Sequence, residues 1–121
     1  DSAITETYGV GGMAMIAAPG VTRFVCAGGF GGALAVSNEM LEIVHGHNSG
    51  LPIPTWDFQG ACIGVDVRKV VANGITPLIN TGIAHRIAGK GQVGAGTVRA
   101  PLACFEQALE ALAAKYGVEV D

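Results

Sequence analysis

Between Asp1 and Val36 the only charged side chains besides Asp1 itself are Glu6 and Arg23. A run this poor in charge cannot coat a free surface. It packs either into a small Ala/Gly-rich core of its own, or against a partner subunit or the remainder of a longer chain, and the second alternative is the expectation here. The absence of an initiating Met agrees with a fragment or processed chain. The shortage of charge extends to the whole sequence: 14% of the 121 residues are charged and 50% are hydrophobic, against about 25% charged in an ordinary soluble domain. Residues 1–121 are expected to form a single domain, burying roughly two thirds of the extended surface.

The same run does not read as a membrane span. Pro19, Thr22, Arg23 and several glycines interrupt it, and neither half approaches about 20 apolar residues. No positively charged leader marks secretion. The three cysteines, Cys26, Cys62 and Cys104, are odd in number and lack metal-ligand spacing, so a reduced, cytoplasmic setting is expected. A net charge of −3 without clusters of Lys or Arg argues against nucleic acid as a partner.

The clearest element is "RAPLACFEQALEALAAKYGVEV". Leu102, Phe105, Leu109 and Leu112 recur at helical spacing, Pro101 suits the first helical position and Gly117 supplies a left-handed cap, which predicts a helix over 101–115. A second helix is expected over about 33–45, with Leu34, Met40, Leu41 and Val44 inward, Glu39 and Glu42 outward and Gly46 as terminator. That assignment puts His45 and His47 at a helix C-terminus, favoured by the dipole, rather than at a metal. "MAMIAAP" predicts a short buried helix ended by Pro19, and its approach "YGVGG" lets backbone come close to a ligand or another element. "IPTWDF" and "ITPLINTGIA" read as strands, with "VDVRKVVANG" between them as a short helix from Asp66 to Gly74. The fold class is therefore α/β or α+β, a mixed sheet covered by helices.

Gly89, Gly91 and Gly94 in "AGKGQVGAG" match G-x-G-x-x-G, but the context of a Rossmann fold is missing. The preceding strand ends near Thr81, the next helix starts about seven residues after Gly94, and Glu110 lies inside that helix. Gly-Lys-Gly without a following Ser or Thr fails the P-loop pattern as well. Two readings stay open: a glycine loop running into a helix N-terminus that binds an oxyanion, with Lys90 and Arg99 on it, or a tight turn with incidental basic residues. Asn80 and Thr81 follow a strand, with His85 and Arg86 shortly after, and the loop is expected to share one crevice with them. His85 is either a hydrogen-bonded structural residue or a catalyst. Asp57 and Asp66 bracket "FQGACIGV"; either could orient an arginine or a substrate amide, and Asp66 could equally be only a cap. Arg68, among apolar neighbours, calls for a buried partner, which Asp66 or Asp57 could supply. Cys62 has no neighbouring base and is not expected to be a nucleophile.

The runs "DSAITETYGVGGMAMIAAPGVTRFV", "WDFQGACIGVDVRKVV", "GITPLINTGIAH" and "GQVGAGTVRAPLACFEQALEAL" closely resemble, in this order, the C-terminal part of the YlbE/AllG family. The resemblance implies a subunit of an oxamate carbamoyltransferase that works with an FdrA-type subunit and a third subunit, converting oxalurate and phosphate to oxamate and carbamoyl phosphate in allantoin use. It carries no residue-level assignment. A site for that chemistry must hold several negative charges and stabilise an oxyanion. The expected catalytic residues are His85, which polarises the carbonyl or relays a proton, Arg68 and Asp57. The expected substrate and anion ligands are Asn80 and Thr81, which orient the ureido or oxamate amide, with Lys90, Arg99 and the backbone of Gly91, Gly94 and Gly96. No metal or cofactor is called for. The alternatives are a non-catalytic assembly subunit and a small-anion-binding regulatory module, and in either case the protein is expected to be a homo- or hetero-oligomer.

Overall fold

The structure is a computed structural model that describes residues 3–20 and 29–119. Thr22, Arg23 and Cys26 lie outside the described residues. The chain begins with helix α1 (Ile4–Tyr8) and a 3-10 segment (Gly11–Ala17), followed by helix α2 (Gly29–Met40) and a 3-10 turn (Leu41–Ile43). Strands β1 (Val44–Ile53) and β2 (Gln59–Val65) form an antiparallel hairpin around a 3-10 turn at Pro54–Trp56. Helix α3 (Val67–Asn73) leads to a second antiparallel hairpin, β3 (Leu78–Ala84) with β4 (Gln92–Arg99), and helix α4 (Leu102–Tyr116) follows. The α/β class, of α+β type, holds. The mixed sheet does not: among the described residues both sheets are two-stranded and antiparallel.

Local chemistry explains where the elements stand. Asp66 caps α3, accepting the backbone N–H of Arg68 at 3.0 Å, and Gly74 ends the helix at φ 66°. Gly117 ends α4 at φ 67°, its N–H directed to Ala113 and Ala114 carbonyls. Leu102 and Phe105 press α4 onto the core, while Leu112 stays 40% exposed.

Three expectations need correction. The helix placed over 33–45 stops at Met40; from Val44 the chain is strand, because the β-branched Val44 pairs with Val65 and alternating residues point inward. Hence His45 and His47 lie in β1, not at a helix end. "IPTWDF" is not a strand. Ile53 closes β1, Pro54–Trp56 coils into a 3-10 turn, and Asp57 and Phe58 adopt φ of 53° and 60° to reverse the chain. Finally, residues 92–99 do not form a loop running into a helix N-terminus; they are β4.

The core gathers Met13, Ile16, Met40, Ile43, Trp56 and Val70 with smaller neighbours. Each large side chain that is fully buried contributes about 1.5–3 kcal/mol. Met13, Met15, Ile16 and Ala33 of the charge-poor run are thus buried in the chain's own core. The rest of the described part of Val10–Val36, where an interface was expected, is not covered by this packing: Gly11, Ala17, Ala18 and Phe30, the last 52% exposed, stay at the surface. Large apolar side chains are exposed elsewhere, among them Ile83, Val93 and Val98 on the second hairpin.

Candidate functional site

After α1 the chain passes through Gly9, Gly11 and Gly12 into the 3-10 segment, and the glycines are there because two strands stand in the way. A Cβ on Gly9 would lie 2.3 Å from the Cys62 carbonyl oxygen, and one on Gly12 would lie 2.1 Å from that of Leu78. The backbone comes close to other elements of the chain itself, one of the two possibilities the "YGVGG" pattern left open. Glu6, only 2% exposed, completes the join. Its Oε1 accepts the backbone N–H of Gly12 and of Asn80, both at 3.1 Å, and its Oε2 accepts the Thr5 hydroxyl at 2.9 Å. Burial pushes the carboxyl pKa up, but the N–H groups of Gly12 and Asn80 and the Thr5 hydroxyl outweigh it and hold it below the ordinary value.

This junction borders a cavity of about 480 Å³ lined by Gly11, Ala14, Met15, Ile53 and Ala61, with Val10, Ala17, Ala18, Leu51 and Pro52. Among the described residues that line it, Asn80 alone has a polar side chain. The hollow is open to solvent, with Gly11, Ala17, Ala18, Leu51 and Pro52 exposed along it, and an apolar wall carrying one amide can accommodate a small planar group with a carbonyl or an amide.

The other expected site residues are spread over several surfaces. Thr81 follows Asn80 in β3 and pairs with Gly96, so strand alternation turns it to the opposite face, with Ile79 and Ile83. His85, Lys90 and Gly91 form the tip of the second hairpin. The His85 N–H donates to the Gly91 carbonyl at 2.8 Å, and His85 Nδ1 accepts the N–H of Ile87 at 2.9 Å, which leaves the proton of a neutral ring on Nε2. Gly94 pairs with Ile83. The glycine stretch therefore does adjoin the end of the strand containing Ile79, as its hairpin partner. Gly89 and Gly91 hold φ of 81° and 78°, which is turn chemistry.

Arg99 ends β4 and donates from Nη1 to the Glu39 carboxylate on α2 and, at 3.0 Å, to the Thr76 carbonyl. Arg68 is 73% exposed rather than buried, and its Nη2 meets Asp66 at 2.8 Å. The guanidinium hydrogen bond holds the Asp66 carboxyl down to about 2 against the cost of its partial burial. Arg68 borders a different hollow, with Leu109, Leu112 and Tyr116. Asp57 is exposed beyond Trp56. Cys62 is buried, which pushes its thiol pKa up, away from a nucleophile's. Among the described residues no group of three or more His, Cys, Asp or Glu is placed to hold a metal ion, and no helix is long and apolar enough to cross a membrane.

Glu6, Gly11 and Ala61 were not among the expected site residues. The signal for Glu6 was its isolation: a lone acid in a run with almost no charge must reach solvent or be met by hydrogen-bond donors.

An α+β domain with an apolar cavity and a single amide on its wall is the class these features define. No family model matches the chain. It is 73% identical over 118 residues to the oxamate carbamoyltransferase subunit AllG of Escherichia coli K12, and 47% identical over 118 residues to the uncharacterized protein YahG of that organism. These alignments cover 98% of the chain, but only 28% of the first relative and 25% of the second. A crystal structure of a conserved protein of unknown function from Enterococcus faecalis V583 is similar at a TM-score of 0.82 and 51% identity, over 94% of this chain and 27% of that one. The chain is thus similar to AllG along nearly its whole length and spans about a quarter of the length of the relatives it matches.

Proposed function

We propose that this domain is part of a carbamoyltransferase subunit and that its cavity takes the amide end of oxamate or of the ureido substrate oxalurate. The observation that carries the reading is the placement of Asn80, an amide donor and acceptor on an otherwise apolar wall, in a chain 73% identical to a protein named as an oxamate carbamoyltransferase subunit. In the reaction the bond between the carbamoyl carbon and the oxamate nitrogen breaks. A bond from that carbon to a phosphate oxygen forms, and the oxamate nitrogen takes up a proton. Asn80 meets the planar amide group; Lys90, exposed at the hairpin tip, is the cation offered to carboxylate or phosphate, with His85 beside it as proton relay, whereas Arg68 borders a different hollow and is paired with Asp66. Arg99, tied to Glu39, Thr81 on the opposite hairpin face, Asp57 and the Gly91, Gly94 and Gly96 backbone stand outside the cavity in this reading. The remaining ligands come from the rest of the longer chain, from an FdrA-type subunit and from a third subunit, in a cytoplasmic assembly serving allantoin degradation.

A second reading, that the domain serves assembly alone, rests on the exposed apolar side chains of Ile83, Val93 and Val98. One experiment separates the two: phosphorolysis of oxalurate by the reconstituted subunits, each omitted in turn, with wild-type chain or Asn80→Ala. The catalytic reading expects at least about a tenfold loss of kcat/KM in Asn80→Ala with the assembly intact on size-exclusion chromatography, the scale of a lost hydrogen bond whose partner stays unpaired. Unchanged kinetics with an intact assembly would leave only the second reading.

A further inference from the structure

Among the described residues Glu6 is the one charged residue that is buried. Such a group persists only if donors replace water, and here one oxygen takes two of them. The donors stand on two different elements: Gly12 directly follows Gly11 of the cavity wall, and Asn80 is itself on that wall. The fit has no slack. A Cβ on Gly11, whose φ is 67°, would lie 2.7 Å from Glu6 Oε1, and a Cβ on Gly12 would lie 2.8 Å from the Asn80 nitrogen. A hydrophobic residue in place of Glu6 would leave both N–H groups without an acceptor.

We propose that Glu6 is the positioning residue of the cavity: by accepting from Gly12 and Asn80 at one oxygen, it locks the 3-10 segment against β3 and sets where the Asn80 amide stands. This rests on the reading of the cavity given above. Its consequence is specific. The carboxylate touches no ligand, yet removing it displaces the one polar side chain on the wall. Glu6→Gln keeps a carbonyl oxygen able to accept both N–H groups, and its NH2 can donate to the Thr5 hydroxyl, so it preserves the geometry. Glu6→Ala removes the acceptor. Glu6→Asp keeps the charge but falls one methylene short, and it serves where the alanine variant does not fold.

The test is NMR titration of the chain and its variants with oxamate. Glu6→Ala, or Glu6→Asp in its place, is expected to move the backbone resonances of Gly12 and Asn80 together and the Asn80 side-chain NH2 resonances with them. Oxamate affinity should fall at least about tenfold, the scale of one charge-assisted hydrogen bond. Glu6→Gln should stay within about threefold of wild type, a rescue that lost charge alone would not give. Unchanged affinity in the folded alanine or aspartate variant, while Asn80→Ala abolishes binding, overturns the positioning role and leaves the cavity reading standing. If the wild-type chain binds no oxamate, the cavity reading fails. The positioning role is then decided by the resonances: an Asn80 side chain that stays put when Gly12 moves overturns it, and joint movement upholds it.

Discussion

Gly12→Ala adds one methyl group, and the surroundings determine its cost. The new Cβ would stand 2.1 Å from the Leu78 carbonyl oxygen and 2.8 Å from both the Leu78 carbonyl carbon and the Asn80 nitrogen. Ordinary carbon contacts begin near 3.5 Å, and all three neighbours are strand backbone rather than the yielding tip of a side chain. Gly12 is not among the glycines with positive φ, so the penalty is steric and not conformational. The 3-10 segment must retreat from β3 by more than about 1 Å to restore ordinary contact. The Gly12 and Asn80 N–H groups can then no longer share Glu6 Oε1 at 3.1 Å. Overpacking costs about 1–3 kcal/mol, and hydrogen bonds to a charged acceptor are worth about 1.5–3 kcal/mol each. Because one displacement breaks both bonds, the terms do not simply add, and the expected loss is about 3–6 kcal/mol. That is a large share of a domain's usual 5–15 kcal/mol, roughly. The control is Gly96→Ala in β4, where a Cβ meets nothing within 4 Å; its stability should change by no more than about 1 kcal/mol. Urea unfolding followed by circular dichroism measures both. A loss below about 1 kcal/mol for Gly12→Ala, or an equal loss for Gly96→Ala, would refute the close-approach argument.

Arg99→Ala removes the contacts to Glu39 and to the Thr76 carbonyl. With side-chain exposures of 42% and 40% for the ion pair, the expected cost is about 0.5–1.5 kcal/mol in urea unfolding, not additive with Glu39→Ala. If phosphate dependence of the assembled enzyme stays unchanged while that stability is lost, Arg99 is a structural tie rather than an anion ligand. Asp66, at about 2 against an ordinary 3.8, binds protons less readily folded than unfolded. Its contribution is therefore full above about 4 and lost as pH falls towards 2, and a pH series of melting temperatures should show a shallower acid loss over that window in Asp66→Asn. Gly91→Ala places a side chain at φ 78° and should cost about 1–2 kcal/mol, with little effect at Gly94, which shows no positive φ.

Elements fixed by local chemistry were legible. Asp66 and Gly74 bound α3, and Pro101 and Gly117 flank α4, because capping depends on residues a few positions apart. Of the elements decided by pairing, β3 was legible within 75–84, but β1 and β4 were not. Residues 44–48 carry Gly, Asn and two histidines, a poor strand composition, and are extended because β2 supplies their partner in register. The same holds for 92–99, where glycines read as loop but pair with β3. Of the expected site residues, Asn80 could be picked out as a polar group in an apolar strand. That it lines a cavity depends on Gly11, Ala61 and Ile53, which come from distant parts of the sequence. Glu6 was visible only as an acid out of place, because its donors lie 6 and 74 positions away.

The glycines of residues 89–96 serve two different ends. Gly89 and Gly91 sit where the hairpin reverses and adopt the left-handed backbone that such a reversal demands, so their presence follows from the turn alone. Gly94 and Gly96 have no such need: they lie within β4, and a Cβ at either finds only ordinary contact or open space. Glycine inside a strand weakens it by about 0.5–1 kcal/mol, so neither is explained by this chain's own packing. Both pair with residues on the hairpin face opposite Asn80, the face that carries Ile83 and Val98. The stretch that looked like a phosphate cradle is thus a turn at one end and a smooth apolar strand at the other. In the reading proposed above, amide recognition belongs instead to the other face of the same hairpin, where Glu6 accepts the Asn80 N–H and Asn80 lines the cavity.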